Sequence, residues 1–257
     1  MEKIIARCLD ALKWADEVVV VDMFSTDRTQ EICESYPNVT FLQNKDYIFA
    51  NVNYGIDHAK GDWLMRLDSD EIVSPKLADE IRDKVLILSD DPNSGYWVPN
   101  RVFFFGKWIK FGPAYDKRSK GKGFGYRKIL FKKGTARYEC KREHEDMTAT
   151  GTYGTLKGHY DHFSHDSVST FITKMNYYTD RDTERIDDNA SRLSSAFAFR
   201  MFAVPLLTFL KLYFQFKGYK DGTHGFVVCA LNAWYGFTDR SKAWEKSWKS
   251  HNPIEGE

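Results

Sequence analysis

The chain has 257 residues, 42% hydrophobic and 28% charged, a composition that excludes a disordered polymer and suffices for one large core or two small ones. Its 37 basic and 36 acidic residues leave a formal charge of +1, so no global field favours a polyanion, and nucleic acid is not an expected partner. Cys8, Cys33, Cys140 and Cys229 lie far apart without a C-x-x-C pair, the pattern of reduced thiols in a cytoplasmic protein rather than a disulfide framework or zinc ribbon.

In chain order, Ile4, Ile5, Leu9 and Leu12 recur at helical spacing and predict an amphipathic helix over 2–14. The run Val18 to Val21, closed by Asp22, has no alternation and predicts a strand buried on both faces of a parallel sheet. Ser25-Thr26-Asp27 offers cap chemistry for a helix from Thr29 to Tyr36. A second strand follows at 39–42, then a helix over 47–59 with Gly61 as its C-cap. Asp62 to Leu67 forms a third strand running into Asp68-Ser69-Asp70-Glu71, and Ser74-Pro75 opens a helix over 76–88. Alternating strands and helices predict an α/β fold with a mostly parallel, Rossmann-type sheet flanked by helices. Residues 95–140 carry short β-like runs among aromatic, glycine and basic residues, and the chain is helical again from about 167. The expected organisation is a nucleotide-side half (1–92), an acceptor-side half of the same domain (93–166) and a helical C-terminal region (167–257).

Ligands of such sheets sit beyond the carboxyl ends of the strands, and both Asp22 and the Asp68 cluster occupy such ends. Asp68 and Asp70 alternate by two, so an extended segment points both to one side. Carboxylates gathered there are costly unless a cation neutralises them, and Mg²⁺ or Mn²⁺ carrying diphosphate oxygens is one solution. A solvated acidic turn is the other. Asp22 suits a base or ribose contact, or a plain turn leading to Ser25. Glu145 beside His144, or Asp146, suits a general base, although a charged loop has the same composition. His159, His162 and His165, three apart, would share one face of a helix; one of them joining the metal of the acidic cluster is a better fit than a separate zinc site. Basic residues from Arg101 to Lys128, with Gly121, Gly123 and Gly125 among them, read as a mobile loop able to meet phosphates, or as a loop with no ligand.

Taken together, Val19-Val20-Val21-Asp22-x-x-Ser25-Thr26-Asp27-x-Thr29, Asn53 and Gly61-Asp62-Trp63-Leu64-x-x-Leu67-Asp68-x-Asp70-Glu71 resemble the family 2 glycosyltransferases of GT-A type, most closely bacterial lipopolysaccharide-core glucosyltransferases. Gly106 to Ile109, His144-Glu145, Leu156 to His162 and Gly218-x-x-Asp221-Gly222 extend the likeness over nearly the whole chain. The resemblance implies an inverting hexosyltransferase with a nucleotide-diphosphate sugar donor, a glycan or lipid-linked acceptor and a divalent metal (Mg²⁺ or Mn²⁺). By position it assigns Asp22, Ser25, Asp27, Asn53, Asp68 and Arg127 to the donor, Asp68, Asp70 and His162 to the metal, and Glu145 or Asp146 to the base. A metal-dependent phosphohydrolase and a non-catalytic transferase-like partner are the competing readings. Relatives carry a strand ahead of the first helix, whereas Met1-Glu2 abuts it here, which implies an incomplete nucleotide site in the chain as given. Phe197 to Phe216 contains Arg200, Pro205 and Lys211 and reads as a poor spanning helix. It is expected either to pack on the domain or a homo-oligomeric partner, or to lie peripherally at the inner membrane.

Overall fold

The computed structural model describes residues 2–86, 91–140 and 147–253. The chain begins with α1 (Glu2–Asp10), β1 (Val18–Asp22), α2 (Thr29–Glu34), β2 (Val39–Gln43), α3 (Ile48–His58), β3 (Trp63–Met65), β4 (Glu71–Val73) and α4 (Pro75–Glu80), the last continued by a π-helical stretch, Ile81–Leu86. Strands then dominate: β5 (Gly95–Phe104), β6 (Lys107–Ile109), β7 (Gly125–Lys132), β8 (Ala136–Arg137), β9 (Thr148–Ala149), β10 (Tyr153–Thr155) and β11 (Tyr160–His165). The remainder is helical, as α5 (Val168–Arg185), α6 (Ser195–Leu210) and α7 (Gly222–His251).

Two compact units emerge, residues 1–101 with 125–163 and residues 102–124 with 164–257. The segment 102–124 falls with the C-terminal helices in the second unit. The α/β class is as expected, but the sheet is mixed. β1 and β2 pair in parallel, Val18 opposite Val39, as a sheet of their own. The larger sheet runs β3-β7-β5-β11-β4, and its β3–β7, β7–β5 and β11–β4 pairs are antiparallel, whereas β10 joins β5 in parallel. The antiparallel pairs join strands remote in sequence, Trp63–Met65 with β7 and Glu71–Val73 with β11, so local spacing along the chain did not announce them.

The first unit is cored by Cys8, Leu12, Leu77, Ile81, Val98, Ile129, Leu130 and Tyr160. Ser74 caps α4 as expected, its Oγ accepting from Leu77 N–H at 3.2 Å with Pro75 at the first helical position. The expected caps around α2 and α3 are built differently. Asp27 Oδ1 accepts from Thr29 N–H at 3.1 Å, while Ser25 turns back to Asp22. Helix α3 ends in extended backbone at Ala59, so Gly61 is no left-handed cap; Lys60 N–H is instead taken by Glu17 Oε2 at 2.9 Å. Between β10 and β11, Glu80 Oε2 accepts from Lys157 and Gly158 N–H at 2.8 and 2.6 Å. A Cβ at Gly158 would lie 2.4 Å from Leu77 Cα, so only glycine lets this turn settle on α4.

In the second unit, the end of β5 and β6 form a hairpin, Val102 opposite Ile109, turned by Phe105 (φ 51°) and Gly106 (φ 77°), both left-handed as a two-residue primed turn demands. Phe104, Ile109, Phe171, Met175 and Val228 make its core. Buried Asp221 accepts from Lys110 and Phe111 N–H at 3.0 and 2.9 Å, and Lys107 Nζ donates to its carbonyl at 2.8 Å. The Gly218-x-x-Asp221-Gly222 motif therefore holds the loop after β6.

Candidate active site

The acidic motif is a turn, not the continuation of a strand. Arg66 N–H still bonds to Ile129 carbonyl at 2.8 Å, after which Glu71 N–H closes onto Asp68 carbonyl at 3.0 Å. Asp68 N–H in turn donates to Glu71 Oε2 at 2.9 Å, so the turn is tied at both ends. Glu71 then enters β4 opposite His162 on β11, and Phe163 N–H reaches Asp70 carbonyl at 2.9 Å. This register carries His162 Nε2 to 3.6 Å from Asp70 Oδ1 and its Nδ1 to 4.0 Å from Glu71 Oε1. Because the histidines lie along a strand and not a helix, His159 and His165 face away from His162.

Two guanidiniums offset the carboxylates. Arg66, 7% exposed at its side chain, donates to Asp68 Oδ1 at 2.8 Å, and Arg127 from β7 reaches Glu71 Oε1 at 3.4 Å. Glu71 has no exposed surface, and burial, followed by the nearby charge of Asp68, raises its carboxyl to about 7. Burial likewise pushes the Cys8 thiol up to about 12, with Glu71, Asp70 and Asp68 adding to it. Arg66 Nε and Nη1 and the Tyr160 hydroxyl are buried without a hydrogen-bond partner, which marks this corner as electrostatically costly.

Asp22 and Asn53 are also buried, with their polar atoms engaged by the protein. Asp22 accepts from Ser25 N–H at 2.8 Å, Ser25 Oγ at 2.5 Å and Gln43 Nε2 at 3.4 Å, fixing the turn at the carboxyl end of β1. Asn53 donates to Tyr138 carbonyl at 2.9 Å and accepts from Tyr138 N–H at 3.1 Å, a clamp between α3 and the chain leaving β8. Asp27 is occupied with Thr29 and Glu2 N–H, the latter at 3.1 Å. Of the residues expected to act together, the structure brings Asp68, Asp70, His162 and Arg127 into one cluster. Glu145 and Asp146 lie outside the described residues.

A family model described as glycosyl transferase family 2 matches residues 2–141, more than half of the chain. The chain belongs to that family. The transferase is 25% identical over 253 residues to an uncharacterized glycosyltransferase of Rickettsia prowazekii, covering 97% of this chain and 85% of the other. It is 23% identical over 252 residues to the lipopolysaccharide core biosynthesis glycosyltransferase LpsC of Rhizobium meliloti, covering 95% and 88%. Among solved structures, S. aureus TarS 1–349 in complex with UDP-GlcNAc is similar at a TM-score of 0.47 and 16% identity, covering 100% of this chain and 92% of that one.

Whether a divalent ion fits this transferase is decided by the donor atoms. Asp70 Oδ1 and His162 Nε2, at 3.6 Å, are close enough for one ion to touch both at about 2.1 Å each. Asp68 is less suited, since one of its oxygens is held by Arg66. Among the described residues no three His, Cys, Asp or Glu side chains form a metal-holding group. The residues thus fit an ion that takes two protein ligands and fills its shell with other oxygens. Two features of the site had no motif to announce them. One is Arg66, whose basic side chain inside an apolar strand just before the carboxylates was the only cue. The other is Phe24 beside Asp22, 53% exposed and left-handed at φ 61°.

Proposed function

We propose that this glycosyltransferase moves a hexose from a nucleotide-diphosphate donor to a hydroxyl of a lipid-linked glycan of the lipopolysaccharide-core type, inverting the anomeric carbon. The observation that carries the reading is the approach of His162 to Asp70 across the β4–β11 pairing, at the end of a turn already charged with carboxylates. Asp70 and His162 would hold a Mg²⁺ or Mn²⁺ ion, which when bound neutralises charge on the diphosphate leaving group. Arg127 beside Glu71 adds a fixed positive group next to the same turn. Asp22, held rigid by Ser25 and Gln43, retains lone pairs for the nucleoside, and exposed Phe24 offers a flat apolar surface beside it. Glu145 or Asp146 takes the proton from the acceptor hydroxyl as its oxygen bonds to the anomeric carbon and the bond to the diphosphate breaks. The acceptor class rests on the similarity to LpsC, and action on a cytoplasmic membrane leaflet follows from a lipid-linked acceptor.

The test is sugar release and transfer from UDP- and other nucleotide-linked hexoses, with Mn²⁺ and after chelation. Transfer to a core-oligosaccharide acceptor, lost on chelation and restored by Mn²⁺, is the expected result. Phosphate release from simple phosphate esters without sugar transfer would instead establish a phosphohydrolase.

A further inference from the structure

The segment Ser195–Gln215, made of α6 and its π-helical continuation, is a 21-residue apolar helix with no buried residue. Its outward side is the wrong one for water. Phe199, Phe202, Leu206, Leu210 and Phe214 follow one another three and four residues apart, a single helical stripe, and their exposures run from 40% to 69%. Leu207 widens the stripe at 62% exposed. One edge of the stripe adjoins α7, because Phe209 and Tyr213 set their rings edge-to-face on Phe226 of α7 at 5.6 and 5.8 Å. A surface helix of a soluble protein turns its apolar side inward and its charges outward. Here the side toward α7 is only half-buried and the outer side is hydrocarbon.

Charge identifies what covers it. From Asn189 to Lys220 the sequence holds no Asp or Glu, but it holds Arg192, Arg200, Lys211, Lys217 and Lys220, in a chain whose net charge is only +1. Arg200 and Lys211 lie back over the rings of Phe197 and Phe216 at 5.6 and 5.3 Å, the posture of long cations that keep their heads at a polar boundary while their stems cover apolar surface. Tyr219, 47% exposed between Lys217 and Lys220, adds an amphipathic ring at the same end. A second copy docking on this face through a twofold axis would bring two sets of these cations onto one interface. An anionic surface has no such conflict.

We propose that the Phe199–Phe214 stripe of α6 seats in the headgroup region of an anionic phospholipid bilayer, with the helix lying in the membrane plane. Crossing is opposed by Arg200, Lys211 and Pro205 within the segment and by the lengthwise packing of its other side on α7. The inference depends on none of the donor-site assignments.

Flotation of the full chain with phosphatidylcholine vesicles, with and without phosphatidylglycerol, is the test. Binding is expected only to the phosphatidylglycerol vesicles, weakened about fivefold for each of Lys211→Gln and Lys217→Gln. Phe202→Ser with Leu206→Ser should reduce it by more than about tenfold. All four positions are exposed, and an unchanged circular-dichroism spectrum and unchanged sugar release establish that the variants are folded. Failure to float with anionic vesicles, or equal flotation with both compositions, overturns the proposal. So does a dimer in light scattering that Phe202→Ser dissolves, which would assign the stripe to a second copy.

Discussion

The two units break the ordinary inside–outside rule in opposite ways. The first buries charge: Glu71 is wholly enclosed, Arg66 nearly so, and Asp68 and Glu71 meet guanidiniums in their own unit. The second exposes hydrocarbon along α6 while spending its polar groups, such as Asp221, on holding loops. Buried charge costs stability that a diphosphate and its cation would return, and exposed Phe and Leu cost solubility that a bilayer would return. The comparison separates residues kept for a ligand from residues kept for the fold, even where both are polar and enclosed.

The sharpest way to break that contrast is Asp70→Ala. If the turn serves the donor, kcat for sugar transfer with saturating Mn²⁺ falls by on the order of 10²–10³, as when other preorganised electrostatic partners of a transition state are removed. Turnover within a factor of two of wild type would reduce the cluster to scaffold. Asn53→Ala probes the other side of the distinction. Losing both bonds to Tyr138 strands buried backbone groups and should cost about 1–3 kcal/mol in urea unfolding, with KM for the donor unchanged. A raised KM with intact stability would return Asn53 to the donor site. Glu71→Gln gives the smallest effect and reads the cost of the buried charge directly. The carboxyl is raised from 4.5 to about 7, so its contribution to stability is full below pH 4.5 and is lost as pH rises through about 7. Wild-type stability relative to Glu71→Gln should therefore decline over that window in denaturant titrations at stepped pH. A flat difference would mean that Arg127 and Arg66 compensate the ionised form fully.

Much of this was legible in the chain because local chemistry and global fold agree. The Ser74-Pro75 helix start sits where its residue types predict, and Val18–Val21 form the expected parallel strand, although half-buried rather than enclosed on both faces. The departures share a cause, which is that pairing partners are remote in sequence. That His162 meets Asp70 depends on a register between strands some ninety residues apart, and spacing by three suggested a helix instead. Arg66 read as an ordinary strand residue because its purpose appears only once Asp68 folds back on it. Asn53 and the Gly218–Asp221 motif matched a family pattern that does not itself distinguish binding from bracing. In the structure, their side chains or neighbouring backbone brace loops.

The four thiols described above carry a consequence for kinetics. Cys8 and Cys33 are enclosed in the first unit and Cys229 in the second, whereas Cys140 lies open. Cys229 is wedged where a Cβ on Gly218 would stand 2.5 Å from its sulfur, and burial pushes its thiol up to about 11. Such a sulfur is silent toward a disulfide reagent until its surroundings come apart. Once Cys140 is replaced by serine, the chain contains its own pair of stopwatches. Alkylation at Cys229 times the opening of the helical unit, alkylation at Cys8 and Cys33 that of the sheet unit, and ligand added to one arm reports which unit it steadies.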